Sequence, residues 1–296
     1  CIRDSLLETQ EELILDFSTE DNEVTLRGEF SLIQRETGFI SGLVCVLHDI
    51  TEQEKIERER RDFVSNVSHE LRTPLTSMRS YLEALNDGAW KDPDIAPRFL
   101  AVTQEETDRM IRMITDLLNL SRMDAGKDTF ELEYVNINEL FSHVLNRFDM
   151  MLQSADKPVK PFVIKRDFTK RDLWVEVDAD KMIQVLDNIM NNAIKYSPSG
   201  GTITCRLMET HNNIVISIAD EGIGVPKKDI PHVFDRFFRV DKARARSMGG
   251  TGLGLAISKE VVQKHGGKIW LESIENKGST FFISLPYVPY EEDEWI

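Results

Sequence analysis

The chain has 296 residues, of which 41% are hydrophobic, and it carries a formal net charge of −15. A chain of this size can bury a substantial core, and we expect it to divide into two or three domains. The negative charge offers nothing to the phosphates of nucleic acid or to an anionic membrane surface, so no nucleic-acid partner is expected. Cys1, Cys45 and Cys205 form no Cys-x-x-Cys pair, which argues against a disulfide framework or a zinc site and is typical of a reducing compartment.

The first 51 residues carry a strand pattern that is too small to form a domain alone. Residues 23–33 alternate between polar and apolar side chains, the apolar ones being Val24, Leu26, Phe30 and Leu32. After a turn at Glu36-Thr37-Gly38, a second apolar stretch runs from Ile40 to Leu47. This pattern predicts a β-hairpin. Because two strands cannot make an independent core, we expect residues 1–51 to be the end of a larger sheet domain.

An abrupt change of composition after residue 51 predicts a helical hairpin. Residues 52–61 mix opposite charges as a solvated helix does when it enters a coiled coil, and one helix is expected to continue to about Asn86. A second helix is expected to begin around the prolines at 93 and 97, with six apolar residues inward: Phe99, Val102, Met110, Met113, Leu117 and Leu120. Two helices leave an apolar stripe uncovered on each, so we expect a second copy of the chain to complete a four-helix bundle.

The apolar stripe of the first helix determines where its reactive residues point. Val64, Leu71, Met78 and Leu85 recur every seven positions, and Leu75 and Leu82 fill the alternate set. His69 projects about 140° from the centre of this stripe, and Thr73 lies about 40° around from His69. Glu70 is the next residue in the chain. A titratable nucleophile, an acid and a hydroxyl are therefore expected on one accessible surface.

Pro74 lies within the same helix, directly after these reactive residues. It has no N–H to donate to the carbonyl of Glu70, so the helix is expected to bend or loosen there. The alternative interpretation of the segment is an exposed histidine on an ordinary bundle helix, with no chemical role.

A later helix, Asp180 to Tyr196, presents polar residues from a surface otherwise built for burial. Asn188, Asn192 and Lys195 fall within about 60° of one another, while the apolar residues occupy the other side. Amide oxygens can bind Mg²⁺, and a lysine can meet phosphate. A solvated helix face is the alternative.

Two glycine-rich segments follow the helix. In Asp220-Glu221-Gly222-Ile223-Gly224, at the end of an apolar strand, the glycines would let the backbone approach a ligand beside a carboxylate that could accept from an adenine amino group. The same pattern also describes many ordinary strand-ending turns. Gly249-Gly250-Thr251-Gly252-Leu253-Gly254 precedes a helix, whose free N–H groups suit polyphosphate.

The segment between the two glycine clusters is interpreted as a mobile lid. Residues 241–247 are polar and include Lys242, Arg244 and Arg246, which could close over phosphates. Phe237 and Phe238, just before it, are interpreted as core anchors rather than as residues that stack on a ligand.

These blocks, in this order behind a His-bearing hairpin, resemble the sensor histidine kinases of two-component systems over roughly residues 52–288. The resemblance implies a multidomain α+β fold. Residues 1–51 would be the C-terminal part of a PAS domain, and 52–127 a signalling helix with the dimerisation and phosphotransfer hairpin. Residues 128–289 would be an α/β sandwich ATP-binding domain of the gyrase, heat-shock-ninety, histidine kinase and MutL type, followed by an acidic tail, 290–296. Phe63 to His69 and the turn at Asn86 to Trp90 look most similar to the branch that regulates the cell wall of Gram-positive bacteria.

The resemblance also assigns roles to individual residues. His69 would be the phosphoacceptor, with Glu70 as its general base or orienting partner, and Glu70-x-x-Thr73 resembles the family's phosphatase motif. Asp220 would hold the adenine, and Asn192, helped by Asn188, would bind Mg²⁺. The remaining ATP-contacting residues would be Lys195, Tyr196, Gly222, Gly224, Arg239, Lys242, Gly250, Gly252, Leu253 and Gly254. Thr280 is a further candidate for the adenine pocket, although strand packing explains it equally well.

The function expected from the resemblance is ATP-dependent phosphorylation of His69, followed by phosphoryl transfer to an aspartate of a response regulator. A homodimer and a regulator protein are the expected partners. No apolar run approaches the roughly 20 residues that cross a bilayer. The resemblance implies a cytoplasmic portion of a membrane-anchored sensor, anchored only through segments outside this sequence. Two alternatives stay open: a conformational ATPase of the gyrase or MutL type, and a docking or phosphatase module.

Overall fold

The computed structural model describes residues 13–17, 24–34, 39–153, 161–240 and 250–287. The chain divides into two compact units, Cys1–Thr73 and Pro74–Ile296. The boundary between them lies within one helix, and each unit is described by itself. Among the residues that the structure describes, no helix is both long enough and apolar enough to cross a membrane.

The first unit contains a three-stranded antiparallel sheet. Strand β1 spans Leu13–Asp16, β2 Thr25–Gln34 and β3 Ile40–Asp49, and they are ordered β1-β2-β3. The predicted hairpin is confirmed, with Phe30 opposite Cys45 in the register, whereas its predicted turn at residues 36–38 lies outside the described residues. The apolar side chains of β3 are about half exposed on both sides of the strand, from 42% at Val44 to 53% at Leu47. The described chain therefore leaves both faces of this sheet largely uncovered.

Helix α1, Thr51–Asn86, begins one residue after β3 ends. The carboxylate of Asp49 accepts from the backbone N–H of Thr51 at 3.0 Å and from its hydroxyl at 2.5 Å, and these bonds lower the pKa of Asp49. The N–H groups of Thr25 and Ile50 complete the junction, the first donating to the Thr51 hydroxyl and the second to the Thr25 carbonyl, both at 2.9 Å. Hydrogen bonds to both β2 and β3 therefore hold the start of α1 in place.

The helical hairpin matches the prediction in both of its helices. Helix α1 continues without a break through Pro74 to Asn86, and α2 spans Ile95–Asp124. The two helices meet at the rings of Tyr81 and Phe99, whose centroids are 5.0 Å apart. The six residues predicted to face inward on α2 are all buried or half-buried. The stripe predicted on α1 divides into two sets: Leu71, Met78 and Leu85 are at least half-buried, whereas Val64, Leu75 and Leu82 are 51–58% exposed.

The rest of the second unit is an α/β domain. Its elements are β4 Glu133–Asn136, α3 Ile137–Gln153, β5 Phe162–Phe168, β6 Trp174–Val177, α4 Ala179–Lys195, β7 Gly201–Thr210, β8 Asn213–Asp220, α5 Gly254–Lys264, β9 Lys268–Ile274 and β10 Gly278–Pro286. Five strands form one sheet in the order β5-β7-β8-β10-β9, in which only the β5–β7 pair is parallel, and β4 and β6 form a separate antiparallel pair.

Helices α3, α4 and α5 cover one face of the five-stranded sheet. On β7 the side chains of Ile203, Cys205 and Leu207 are buried, whereas Arg206 and Met208 on the other face are exposed. The helices supply the facing apolar side chains, including Phe141 of α3 and Leu186 and Ile189 of α4, all fully buried. This is the predicted α/β sandwich, and it positions the end of β8 and the last turn of α4 beside one another.

Candidate active site

A cavity of about 290 Å³ opens at the end of β8, beside the last turn of α4. Its lining brings together five of the residues predicted from sequence: Asn192, Tyr196, Asp220, Gly224 and Arg239. Lys242 and Gly249 lie outside the described residues. The cavity is close to the lower end of the size range of small-ligand sites.

The carboxylate of Asp220 marks one end of this cavity. It is 9% exposed, and its Oδ1 accepts from the backbone N–H groups of Gly222 at 2.8 Å and Ser279 at 3.3 Å. Burial raises the pKa of Asp220, and the two N–H donors work against that rise. Among the described residues both bonds end on Oδ1, which leaves Oδ2 to accept from a ligand donor.

Two glycines at this end are required by close backbone contacts. A Cβ on Gly222 would lie 2.4 Å from the carbonyl oxygen of Tyr196, and one on Gly224, whose φ is +64°, would lie 2.2 Å from that of Ile274. Neither position has room for a side chain. The glycines therefore let the loop after β8 pack directly against α4 and β9.

Apolar side chains form the walls of the cavity, and sequence reasoning missed most of them. They are Ile223, Val225, Pro226, Val233, Phe238, Leu271 and Phe281. Phe238 lines the cavity, so its assignment as a core anchor is corrected; the neighbouring Phe237 instead takes a left-handed backbone, with φ +62°, and its N–H donates to Gly252. Ser279, rather than the adjacent Thr280, lines the cavity. The apolar Val225-Pro226 pair directly after the glycines was the signal available for this wall.

Two cations lie together beside the cavity, and one of them, Arg239, is part of its lining. The Lys195 ammonium lies 2.5 Å from where a Cβ on Gly250 would be, and Nη2 of Arg239 donates to the Gly250 carbonyl. Burial, together with the charges of Arg239 and Arg109, lowers the pKa of Lys195 to about 8. Burial also raises the pKa of the Tyr196 hydroxyl, against the opposing charge of Arg239. Crowded, partly desolvated cations of this kind suit an anionic ligand.

The two predicted magnesium ligands lie one turn apart on α4 but differ in their contacts. Asn192 lines the cavity. The amide N–H₂ of Asn188 donates to the Gly254 carbonyl at 3.2 Å and to the Ser258 hydroxyl at 3.3 Å, so this amide also joins α4 to α5. No group of three or more His, Cys, Asp or Glu side chains that could hold a metal occurs within the described ranges. An amide oxygen near the cations Lys195 and Arg239 nevertheless fits Mg²⁺, which keeps several waters and takes few protein ligands.

The second glycine segment starts helix α5. Gly252 has φ +75°, and a Cβ there would lie 3.0 Å from the Cα of Phe237. The N–H of Leu253 donates to the Thr251 hydroxyl at 3.3 Å, and the helix begins at Gly254. The start of α5 therefore lies beside Arg239, and its role as a polyphosphate-binding helix end stays a prediction.

Two of the three reactive residues of α1 are exposed, as predicted. His69 and Thr73 are exposed and Glu70 is half-buried. The Thr73 hydroxyl donates to the carbonyl of His69 at 3.3 Å. A histidine in this setting can be reached by a bulky partner.

Contacts between α2 and the α/β domain were not predicted from sequence. The Thr251 hydroxyl donates to Asp116 Oδ2 at 3.0 Å. Arg236 donates to both carboxylate oxygens of Asp124, at 2.8 and 2.7 Å, and Lys264 donates to the Met123 carbonyl at 3.2 Å. The α/β domain is therefore held against the second helix of the hairpin.

Two family models match the chain. The "His Kinase A (phospho-acceptor) domain" matches residues 59–126, and the "Histidine kinase-, DNA gyrase B-, and HSP90-like ATPase" matches residues 177–289. The sensor histidine kinase WalK of Bacillus subtilis (strain 168) is 54% identical over 99% of this chain and 47% of the relative. The sensor protein kinase WalK of Staphylococcus aureus is 48% identical over 99% of this chain and 69% of the relative. The chain belongs to the WalK sensor histidine kinases.

This WalK-family chain spans about half the length of the Bacillus subtilis relative. Among solved structures, the histidine kinase ThkA in complex with the response regulator protein TrrA is similar in fold, with a TM-score of 0.62 at 22% identity, over 98% of this chain and 83% of that one. In the WalK-family chain the exposed His69 lies within the match to the phosphoacceptor domain, and Asn192 and Asp220 lie within the match to the ATPase.

Proposed function

We propose that the chain phosphorylates itself on His69 with ATP and passes the phosphoryl group to an aspartate of a response regulator. The observation that carries the proposal is the cavity that holds the buried Asp220 carboxylate and Arg239 in its lining, with the Lys195 ammonium beside Gly250, whose carbonyl accepts from Arg239. This polarity suits a molecule with a neutral, hydrogen-bonding base and an anionic tail. An exposed histidine on a helix of the same chain supplies the acceptor.

In this proposal the adenine amino group donates to Asp220 Oδ2, and the apolar walls, including Phe238 and Phe281, cover the faces of the base. The polyphosphate meets Lys195, Arg239 and the N–H groups at the start of α5, at Gly250, Gly252, Leu253 and Gly254. Tyr196 contacts the ribose or phosphates, and a phosphate contact of Lys242, which lies outside the described residues, is part of the same proposal. Asn192, helped by Asn188, would hold Mg²⁺, which when bound neutralises charge on the phosphates.

The phosphoryl transfer uses groups of α1. A ring nitrogen of His69 attacks the γ-phosphorus as the bond to the leaving ADP oxygen breaks. Glu70 accepts or orients the proton on the other ring nitrogen, which keeps the attacking nitrogen nucleophilic. The exposure of His69 also lets the phosphohistidine reach an aspartate of a partner protein.

The same helix would carry the reverse activity. In the proposed phosphatase reaction the Thr73 hydroxyl positions a water against the phospho-aspartate of the regulator. Its present hydrogen bond to the His69 carbonyl is local and solvent-exposed, so exchanging it for a water costs little. If a bend at Pro74 selects between the two activities, Pro74→Ala changes their ratio, and an unchanged ratio in kinase and phosphatase assays would exclude the switch.

The remaining proposals concern assembly. The exposed apolar residues of the hairpin fit a second copy of the chain that completes a four-helix dimer: Leu75, Leu82, Ile111, Ile114 and Leu118. The uncovered three-stranded sheet fits the C-terminal part of a PAS domain, with the proposed boundaries 1–51, 52–127, 128–289 and 290–296. A response regulator is the proposed partner, as ThkA has one in its solved complex. A cytoplasmic position in a membrane-anchored sensor of cell-wall state completes the proposal.

Incubation of the purified chain with γ-labelled ATP and Mg²⁺ tests the function. We expect protein-bound label that is acid-labile and alkali-stable, and its loss in both His69→Gln and Asn192→Asp. ATP consumption without label would favour a conformational ATPase of the gyrase or MutL type. No turnover at all would favour a docking or phosphatase module.

A further inference from the structure

Arg109 is a buried cation on a seam of α2 that is otherwise mostly apolar. The residue is 6% exposed, and the other buried residues on its side of the helix are Met113, Leu120 and Met123. Glu106, one turn earlier, approaches Nη1 of Arg109 to 3.6 Å. Burial of a guanidinium is costly even when it is paired, and an apolar residue would fill this position at lower cost. The charge therefore calls for an explanation beyond packing.

The side of α2 that carries Arg109 faces the ATP-binding domain. Asp116, which bonds Thr251 at 3.0 Å, follows seven residues later. Seven residues advance a helix by about 10.5 Å and return to within about 20° of the same direction, so Arg109 and Asp116 share a face. Thr107, whose hydroxyl contacts Met78 of α1 at 3.2 Å, points about 160° away from Arg109. Arg109 therefore shares the face of α2 on which Asp116 contacts the α/β domain.

Two other cations, Lys195 and Arg239, lie near Thr251, the residue that Asp116 contacts. Gly250, next to Thr251 in the chain, is in contact with the Lys195 ammonium, and its carbonyl accepts from Arg239. The charge of Arg109 is one of the causes that lower the pKa of Lys195, after burial and Arg239. An electrostatic effect of this kind acts over short distances, so the Arg109 guanidinium is close enough to the Lys195 ammonium for the two charges to interact.

We propose that Arg109 is a positioning residue for the terminal phosphates of the nucleotide, which are then held jointly by the ATP-binding domain and the helical hairpin. The inference rests on the proposed function, since the cavity must hold ATP. The polyphosphate runs from Asn192 and Arg239 at the cavity towards Gly250, where the guanidinium reaches it from α2. Nucleotide occupancy then strengthens the contact between the domain and α2, and the phosphates, not the base, are responsible.

Calorimetric titration with AMP-PNP and with adenosine separates the phosphates from the base. We expect Arg109→Gln to weaken AMP-PNP binding about tenfold and to leave adenosine binding unchanged. Arg109→Lys, which keeps the charge, should recover most of the loss. Arg98→Gln is the matched control, because Arg98 lies exposed on the same helix, and it should bind both ligands as the parent chain does.

An equal loss of affinity for AMP-PNP and adenosine would mean that Arg109 supports the fold. No loss of affinity for either ligand would mean that Arg109 does not contact phosphate. Both results overturn the inference and leave the proposed ATP site unaffected. A parent chain that binds no AMP-PNP overturns the proposed function and this inference together. Hydrogen exchange on the unmodified chain needs no variant: α2 amides between residues 105 and 120 should be protected by AMP-PNP and not by adenosine. Equal protection by both would also overturn the inference.

Discussion

The hydroxyl of Thr251, in the loop before α5, donates a hydrogen bond to Asp116 of α2, and the two residues are 135 positions apart in the chain. Burial raises the pKa of Asp116, while this bond and the charge of Arg112 lower it. The contact joins the hairpin to the loop that we propose carries the phosphates.

Thr251→Val should destabilise the chain by about 1–3 kcal/mol, because it leaves a partly buried carboxylate without its donor. Thr115→Val is the control, since Thr115 is exposed on α2 and its hydroxyl donates to the Ile111 carbonyl of the same helix at 3.0 Å. Urea denaturation measures both. Equal effects of the two substitutions would contradict a stabilising role for the contact.

The raised pKa of Asp116 predicts the sign of its pH dependence. The folded pKa lies above the unfolded value of 3.8, so ionisation opposes folding. The contribution of Asp116 to stability is therefore intact below pH 3.8 and declines as the pH rises from there through the folded pKa. Asp116→Asn keeps an acceptor for Thr251 and cannot ionise. We expect the free energy of unfolding of the variant to exceed that of the parent chain at neutral pH, and a difference that persists unchanged at pH 3 would exclude this origin.

Replacement of the Asp220 carboxylate, which is proposed to hold the adenine, should reduce nucleotide affinity. Asp220→Asn places an amide that can present a donor to the adenine amino group, and we expect at least about a tenfold loss of ATP affinity and of phosphohistidine formation. Asp167→Asn is the control, since the side chain of Asp167 is 72% exposed. If ATP bound both variants as tightly as the parent chain, the base would not be held by Asp220.

The lowered pKa of Lys195, about 8, predicts how ATP affinity depends on pH. Below this value the ammonium is charged and attracts phosphate, and above it the charge is lost, so affinity should fall as the pH rises from 7 to 9. Lys195→Met should bind as weakly as the parent chain does at high pH and show no such fall. ATP titrations between pH 7 and 9 measure this dependence. If the affinity of both proteins fell equally with pH, another titrating group would be responsible.

Two glycines with nearly identical backbones separate backbone strain from steric overlap. Gly126 has φ +63° with no atom within 4 Å of a would-be Cβ, whereas at Gly224, φ +64°, that Cβ would lie 2.2 Å from a carbonyl oxygen. We expect Gly126→Ala to cost about 1–2 kcal/mol for the left-handed backbone and Gly224→Ala to cost about 3 kcal/mol more. Thermal or urea denaturation compares them, and equal costs would contradict a steric overlap with the Ile274 carbonyl.

The sequence predicted the parts of this protein that repeat or that cluster locally. Heptad spacing located α1, the prolines at 93 and 97 located the start of α2, and the order of short polar and glycine segments led to Asn192 and Asp220. Strand β1 was missed because four residues carry little alternation. Asp116 and Arg236 were missed because their partners lie more than 100 positions away, and nothing local distinguishes them from ordinary surface charges.

The apolar wall of the cavity illustrates the same limit. Val233 and Phe281 come from separate segments that meet only after the sheet has formed. An apolar side chain in a core and one in a ligand cavity have the same pattern in the sequence, so Phe238 was assigned to the wrong class.

The hydrogen bonds between Asp49 and Thr51 fix the rotation of α1 about its axis relative to the sheet of the first unit. A single residue separates β3 from α1, and α1 is hydrogen-bonded to β2 at Thr25. The sheet and the helix are therefore joined without a flexible linker. A single residue inserted between Thr51 and Ser68 would turn His69 by about 100° and advance it by about 1.5 Å, whereas seven would restore its direction to within about 20°. The number of residues between Thr51 and His69 therefore determines on which side of the helix the imidazole lies relative to the sheet.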